Sequence, residues 1–390
     1  MNNETDLNLL TEKIKAQAVY PKLLTFSAFM ELALYHPKWG YYSTPQQKIG
    51  KRGDYYTSPF VHPAFGEVIA NAVLSCCEAL GAPVFEIVEI GAGSGLLAGD
   101  VLDSIKGKSL GVYEKTKYTV IEKSPIFSRE LGALRSLHGD KISVIQEPDA
   151  LGAGVVTGVF LSNELLDSLP FHRAVWEGGS VREIYVTCRD GELTEIISEP
   201  STPELAGYFE GYDVSPPDGA EVEINLLAGK WMSSVARALK RGFVLTIDYG
   251  HLAAELFSPE RRKGTMRCFS KHTLNESPYD NIGSQDITAH VDFSNLIRHG
   301  DRCGLKTLMY TTQGQFLVDF GVLDILERYA AHKTLGEVEK GKNIAAIKTL
   351  FLPSMMGNRF RVLLQSKDID INPEELYPPS PLKLSPGEVT

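Results

Sequence analysis

Apolar residues recur at helical spacing through much of residues 1–80. Leu9, Ile14, Ala18 and Val19 predict a first helix, which Pro21 ends. A second is expected over Phe26–Tyr35, with Ser27 as its cap and Glu31 in its early turns. A third, from Pro63 to Leu80, places Phe65, Val68, Ile69, Ala72 and Val73 on one face. Between the second and third, residues 36–63 are rich in Gly, Pro, Tyr and Ser, and Lys51–Pro59 is too polar for a core loop.

The pattern then changes to short β-rich runs separated by helical ones. Strands are expected at 84–90, 118–122, 142–146, 155–162 and 243–250, with helices at 96–105 and 125–137. Residues 305–311 and 360–365 supply two further strands. This alternation predicts an α/β fold with a doubly wound parallel sheet. Insertions interrupt it. Residues 174–176, 181–187 and 193–198, separated by Gly-Gly and Asp-Gly turns, read as an antiparallel meander. Residues 251–286 read as a polar loop, and the tail after Lys367 is Pro-rich and extended.

Composition narrows the function classes. The 390 residues carry 39 basic and 49 acidic side chains, a net charge of −10. That balance argues against broad electrostatic binding of nucleic acid. A 43% hydrophobic and 23% charged content is that of a globular protein. No apolar run is long enough for a membrane span. Met1–Lys15 has neither a signal-peptide core nor an Arg-rich transit pattern, which points to the cytoplasm. The five cysteines lack metal-ligand spacing, so no metal site is expected.

The sharpest local signal is Glu89-Ile90-Gly91-Ala92-Gly93-Ser94-Gly95, with a strand before it and a helix after. Such a turn needs residues without Cβ, because the backbone folds sharply and a ligand comes close. A dinucleotide fingerprint would need glycine where Leu96 stands. The spacing instead resembles the loop of class I S-adenosylmethionine (SAM) methyltransferases. In that reading Glu89, Gly91, Ala92, Gly93 and Gly95 form the cofactor loop, and Glu122, ending the second strand, takes the ribose hydroxyls. Strand four ends in Asn163-Glu164-Leu165-Leu166-Asp167, where ligands of doubly wound sheets bind. Asn163 faces the cofactor, and Glu164 and Asp167 suit a cationic acceptor such as a guanidinium. The same acids also suit a helix N-terminus. His290, among the acids of 286–293, is either a proton acceptor and substrate contact or a structural histidine. Metalloprotease, Ser/His/Asp and P-loop patterns are absent.

With these residues in place, the chain resembles the MidA-like SAM-dependent methyltransferase family over most of residues 26–366. The motifs are His36-Pro37 with Gly40-Tyr41-Tyr42, Gly53-Asp54-Tyr55-Tyr56-Thr57-Ser58-Pro59, Phe65-Gly66-Glu67 and the glycine loop. Asn163 to Pro170, Ile247-Asp248-Tyr249-Gly250, Gly264-Thr265-Met266-Arg267 and Asp286–Phe293 follow, then Thr312 to Leu317 and Met356 to Phe360. Ala92 and Ser168 stand where the family often has proline and alanine.

The resemblance implies a class I, Rossmann-like fold, SAM as cofactor, and methylation of an arginine ω-nitrogen. The mitochondrial members are complex I assembly factors, which implies a protein partner such as a respiratory-complex subunit. A bacterial cytoplasmic member is the simplest match. The expected organisation is a helical lobe and lid at 1–80, a methyltransferase domain at 81–366 with insertions at 171–230, 251–286 and 317–355, and a tail at 367–390. A catalytically silent SAM-binding assembly factor and a small-molecule methyltransferase stay open as alternatives, and the oligomeric state is not read from sequence.

Overall fold

The computed structural model describes residues 4–44, 57–147, 151–270, 273–275, 277–377, 380 and 382–384. The expected Gly53–Tyr56 part of the polar motif lies outside them. The described chain forms two compact units, each assembled from three separate segments.

The larger unit comprises Tyr56–Leu165, Met232–Tyr249 and Ile297–Thr390. Its strands are β1 (Phe85–Ile90), β2 (Thr116–Ile121), β3 (Ile142–Ile145), β4 (Val156–Asn163), β5 (Leu239–His251), β6 (Lys306–Thr312) and β7 (Phe360–Lys367). Their order across the sheet is β6-β7-β5-β4-β1-β2-β3. Strands β3, β2, β1, β4 and β5 run parallel. The sheet is not parallel throughout: β7 lies antiparallel to both β5 and β6. This is the Rossmann-like class I sheet, with its last strand inserted in reverse between the fifth and sixth.

The helix Ala64–Leu80 buries the whole predicted face, Phe65, Val68, Ile69, Ala72 and Val73. That face joins Phe85 and Ile87 of β1 and Val101, Leu102 and Ile105 of the helix Leu96–Lys108 in one core. The helix Ala64–Leu80 therefore belongs with the sheet, whereas the sequence reading grouped it with the N-terminal lobe. The third expected insertion, 317–355, overlaps three helices, Gln313–Asp319, Val322–Ala330 and Glu337–Phe351.

The smaller unit comprises Met1–Tyr55, Leu166–Trp231 and Gly250–Leu296. The expected meander is present as Ser180–Arg189 paired antiparallel with His172–Glu177 and Glu192–Ser198. The stretch expected as a polar loop instead carries antiparallel strands Arg267–Ser270, Thr273–Asn275 and Asp286–Thr288. Local polarity hid them, because their pairing partners lie elsewhere in the chain. The first helix, Glu4–Ala18, buries Leu10, Ile14 and Ala18, one every fourth residue; Leu9 and Val19 are exposed. The helix Phe26–Tyr35 is capped by Thr25, whose hydroxyl accepts from the Ala28 N–H at 3.1 Å, and not by Ser27. The Ser27 hydroxyl donates to the Pro170 carbonyl instead. Among the described residues, no helix is long and apolar enough to cross a membrane.

Candidate functional site

At the carboxyl ends of β1, β2, β4 and β5, the larger unit gathers Glu89, the glycine loop, Glu122, Asn163 and Glu164. The loop leaves β1 with Gly91, Gly93 and Gly95 at φ of 76°, 54° and 74°. A Cβ on Gly91 would lie 2.7 Å from Leu165 Cδ1, so close packing as well as backbone geometry demands glycine there. At Gly93 the nearest atom to such a Cβ would be Phe127 Cε2 at 3.8 Å, an ordinary contact. There the left-handed backbone alone selects glycine.

The loop is tied to β2 at two points. The Gly91 N–H donates to the Ile121 carbonyl at 2.8 Å. The Gly93 N–H donates to Glu122 Oε2 at 2.8 Å, and the Ser124 N–H to Glu122 Oε1 at 2.7 Å. Burial raises the Glu122 carboxyl, while those two N–H groups pull it down. Each oxygen spends one lone pair on the backbone and keeps another for a diol. A cradle closed to Cβ at Gly91, with a fixed two-oxygen acceptor beside it, fits the ribose and amino-acid parts of SAM. Glu89 lies deeper: its Oε2 accepts from the Tyr118 hydroxyl at 2.7 Å. Burial, with the charge of Glu122, pushes it up to about 7. Its geometry is that of a buried support beneath the loop.

Strand β4 delivers the acceptor-side groups. Asn163 Nδ2 donates to Glu164 Oε1 at 3.0 Å, and the Ser58 N–H donates to the same oxygen at 3.0 Å. Asn163 Oδ1 is buried without a partner among the described residues. Since the amide nitrogen is committed to Glu164, that oxygen is left to accept a ligand N–H. Among the described residues Glu164 is one of few non-glycine residues at positive φ, 52°, and its N–H is held by the Ile247 carbonyl at 2.9 Å. Burial pushes its carboxyl up to about 8, with the charge of Asp248 adding to the rise and the two donors opposing it. Asp248, near the carboxyl end of β5, accepts from the N–H groups of Leu165 (3.1 Å) and Tyr249 (2.8 Å).

Asp167 and His290 belong to the smaller unit. There every carbonyl from Leu166 to Pro170 accepts a hydrogen bond. Asn225 Nδ2 holds Leu166 and Leu169, the Ala289 N–H holds Asp167, the Tyr35 hydroxyl holds Ser168, and Ser27 holds Pro170. Asn225 Oδ1 also accepts from the Ala228 N–H at 2.9 Å, next to the start of the helix Leu226–Ala238. The His290 N–H donates to the Thr265 hydroxyl at 2.9 Å, and its ring lies 5.3 Å from that of His251. The Ala289 bond makes Asp167 and His290 neighbours within this unit.

Ser58, Asp248 and Asn225 were not singled out from sequence as site residues. The first two fall inside motifs that carried the family resemblance, which is the signal that could have flagged them. Asn225 falls in none.

Comparison with known proteins agrees with this geometry. A family model described as "Putative S-adenosyl-L-methionine-dependent methyltransferase" matches residues 68–311. The mitochondrial protein arginine methyltransferase NDUFAF7 of Xenopus tropicalis is 28% identical over 380 residues, covering 91% of this chain and 84% of that protein. Its human counterpart is 26% identical, covering 86% of this chain and 78% of that protein. A Burkholderia thailandensis protein crystallised with S-adenosyl-homocysteine superposes with a TM-score of 0.82 at 28% identity, over 94% of each chain. A cofactor loop, its acidic partner and this extended likeness converge: the chain belongs to the MidA-like S-adenosyl-L-methionine-dependent methyltransferase family.

Proposed function

We propose that this methyltransferase transfers its methyl group to a guanidinium nitrogen of a protein arginine. The observation that carries the reading is Glu164, a carboxyl raised to about 8 by burial at the carboxyl end of β4. A buried carboxyl without a cation is poorly solvated, and a guanidinium supplies the missing charge and donors. The names of the NDUFAF7 relatives support the same acceptor.

SAM supplies an electrophilic methyl group on a sulfonium sulfur. The loop from Gly91 to Gly95 and Glu122 would hold it, and Asn163 Oδ1 would be free to accept one of its N–H groups. Glu164 Oε1 is committed to Ser58 and Asn163, so Oε2 receives the guanidinium. Charge pairing there draws positive charge away from the attacking nitrogen. As the N–C bond forms and the C–S bond breaks, the attacking nitrogen sheds one proton, and Glu164 is placed to accept it. Asp167 and His290 are proposed as acceptor contacts within the smaller unit, where the Ala289 N–H holds the Asp167 carbonyl. A respiratory-complex subunit in a bacterial cytoplasm is the acceptor and setting that belong to this proposal.

Labelled SAM incubated with an extract of cells lacking the protein tests the reading. Methylarginine in protein, found by mass spectrometry and lost with Glu164→Gln, is expected. Label confined to small metabolites would replace the reading with a small-molecule methyltransferase. Cofactor binding without any product would replace it with a silent assembly factor.

A further inference from the structure

We infer that Gln313, acting through Ser58, is a positioning residue for the Glu164 carboxyl. The inference rests on the reading of Glu164 as the acceptor-side group. Ser58 and Gln313 are both fully buried. Gln313 Nε2 donates to the Leu350 carbonyl at 2.9 Å, and the Ser58 hydroxyl donates to Gln313 Oε1 at 3.1 Å. The Ser58 N–H then donates to Glu164 Oε1.

Each direction in this series follows from the one before. A backbone carbonyl only accepts, so the NH₂ of Gln313 must face Leu350. Its oxygen must therefore face Ser58, and the serine proton must point to Gln313. The hydroxyl cannot also donate to Glu164, which is left with the Ser58 backbone N–H and Asn163. Gln313 thus fixes both the position of Ser58 and its proton inventory.

The far end is rigid. A Cβ on Gly314 would lie 2.4 Å from the Phe351 carbonyl, so the Gln313 turn abuts the end of the helix Glu337–Phe351. The near end needs such an anchor, because Ser58 starts a helix of only four residues, Ser58–Val61. Residues 255 positions apart in sequence are joined to set one carboxyl oxygen.

Gln313→Met keeps the volume and removes both polar bonds; Ser58→Ala removes only the hydroxyl. Three readouts are compared in the full-length protein. They are calorimetric affinity for S-adenosyl-homocysteine, tritium transfer from labelled SAM into extract protein, and the Glu164 titration by ¹³C NMR, assigned with Glu164→Gln. Expected for Gln313→Met are affinity within about twofold of wild type, transfer slowed at least about tenfold, and the Glu164 midpoint moved to higher pH. The double variant should be no slower than Gln313→Met alone, because both act in one series. If Gln313→Met does not fold, Ser58→Ala carries the same expectations at smaller size.

Unchanged transfer and titration in these variants would overturn the inference, as would additive losses in the double variant. If Glu164→Gln loses transfer while Gln313→Met keeps it, positioning alone is wrong. If Glu164→Gln transfers methyl groups normally, the reading of Glu164 fails and the inference fails with it.

Discussion

Glu164→Gln should remove methyl transfer and at the same time stabilise the protein. Glutamine offers the same Oε1 to the Ser58 N–H and to Asn163, so both hydrogen bonds survive. What disappears is the cost of ionising a buried carboxyl. Its value rises from an ordinary 4.5 to about 8 on folding, so the folded chain binds that proton more tightly than the unfolded chain. Stability from this group is intact below pH 4.5, falls as pH rises, and levels off above pH 8. With these two values the deficit is about 1 kcal/mol at pH 5 and about 4 kcal/mol at pH 7.5. Relaxation around the charge makes the second figure an upper bound.

Thermal melts of wild type and Glu164→Gln across pH 5 to 8.5 check this. The variant should melt several degrees higher near pH 7.5, and the gap should close to about one degree at pH 5. A gap independent of pH, or a variant less stable than wild type at pH 7.5, would refute the reasoning. The sign matters for function. On the proposed function, an arriving cation would offset that destabilisation.

Other outcomes follow from the geometry. Glu122→Ala strips the acceptor for both hydroxyls of a ribose diol, and at roughly 1.5–3 kcal/mol per charged hydrogen bond should weaken S-adenosyl-homocysteine by about two to four orders of magnitude in calorimetry. Gly91→Ala and Gly93→Ala both incur the left-handed penalty of about 1–2 kcal/mol, but only Gly91→Ala also meets Leu165. Gly91→Ala should therefore show the lower urea midpoint, and adding Leu165→Ala should remove that extra loss. Asn225→Ala removes the amide that holds the carbonyls of Leu166 and Leu169 and the oxygen that accepts from the Ala228 N–H; it should cost about 2 kcal/mol and speed hydrogen exchange around residues 166–169.

The parts of the molecule that could be read from sequence are those fixed by neighbours in the chain. Strand β1 entering Gly91–Gly95, and Glu122 ending the run after β2, obey local rules of periodicity and turn chemistry. So do the buried face of the helix Ala64–Leu80 and the meander around Ser180–Arg189. What could not be read depends on distant partners. Nothing in Phe360–Lys367 announces that it runs backwards between β5 and β6. Ser58 is polar and follows a polar stretch, and its role appears only when Glu164, 106 positions away, reaches its N–H. Thr25 displaced Ser27 as a cap because Ser27 found Pro170. The grouping of three separated segments into each unit is invisible to any local window.

The reversed strand β7 has a consequence for synthesis. It is the seventh strand in order but fills an interior place in the sheet, with Val362, Leu363 and Leu364 buried. A ribosome makes residues 252–359 after β5, roughly 5–20 seconds of elongation, before β7 exists. Throughout that interval the side of β5 that β7 will occupy, beside Phe243, Val244, Leu245 and Ile247, is a bare, apolar strand edge. The nascent chain should therefore aggregate less when a chaperone that shields strand edges is present during its synthesis. Chains stopped short of Phe360 should aggregate, even though every loop that holds the cofactor has already been made.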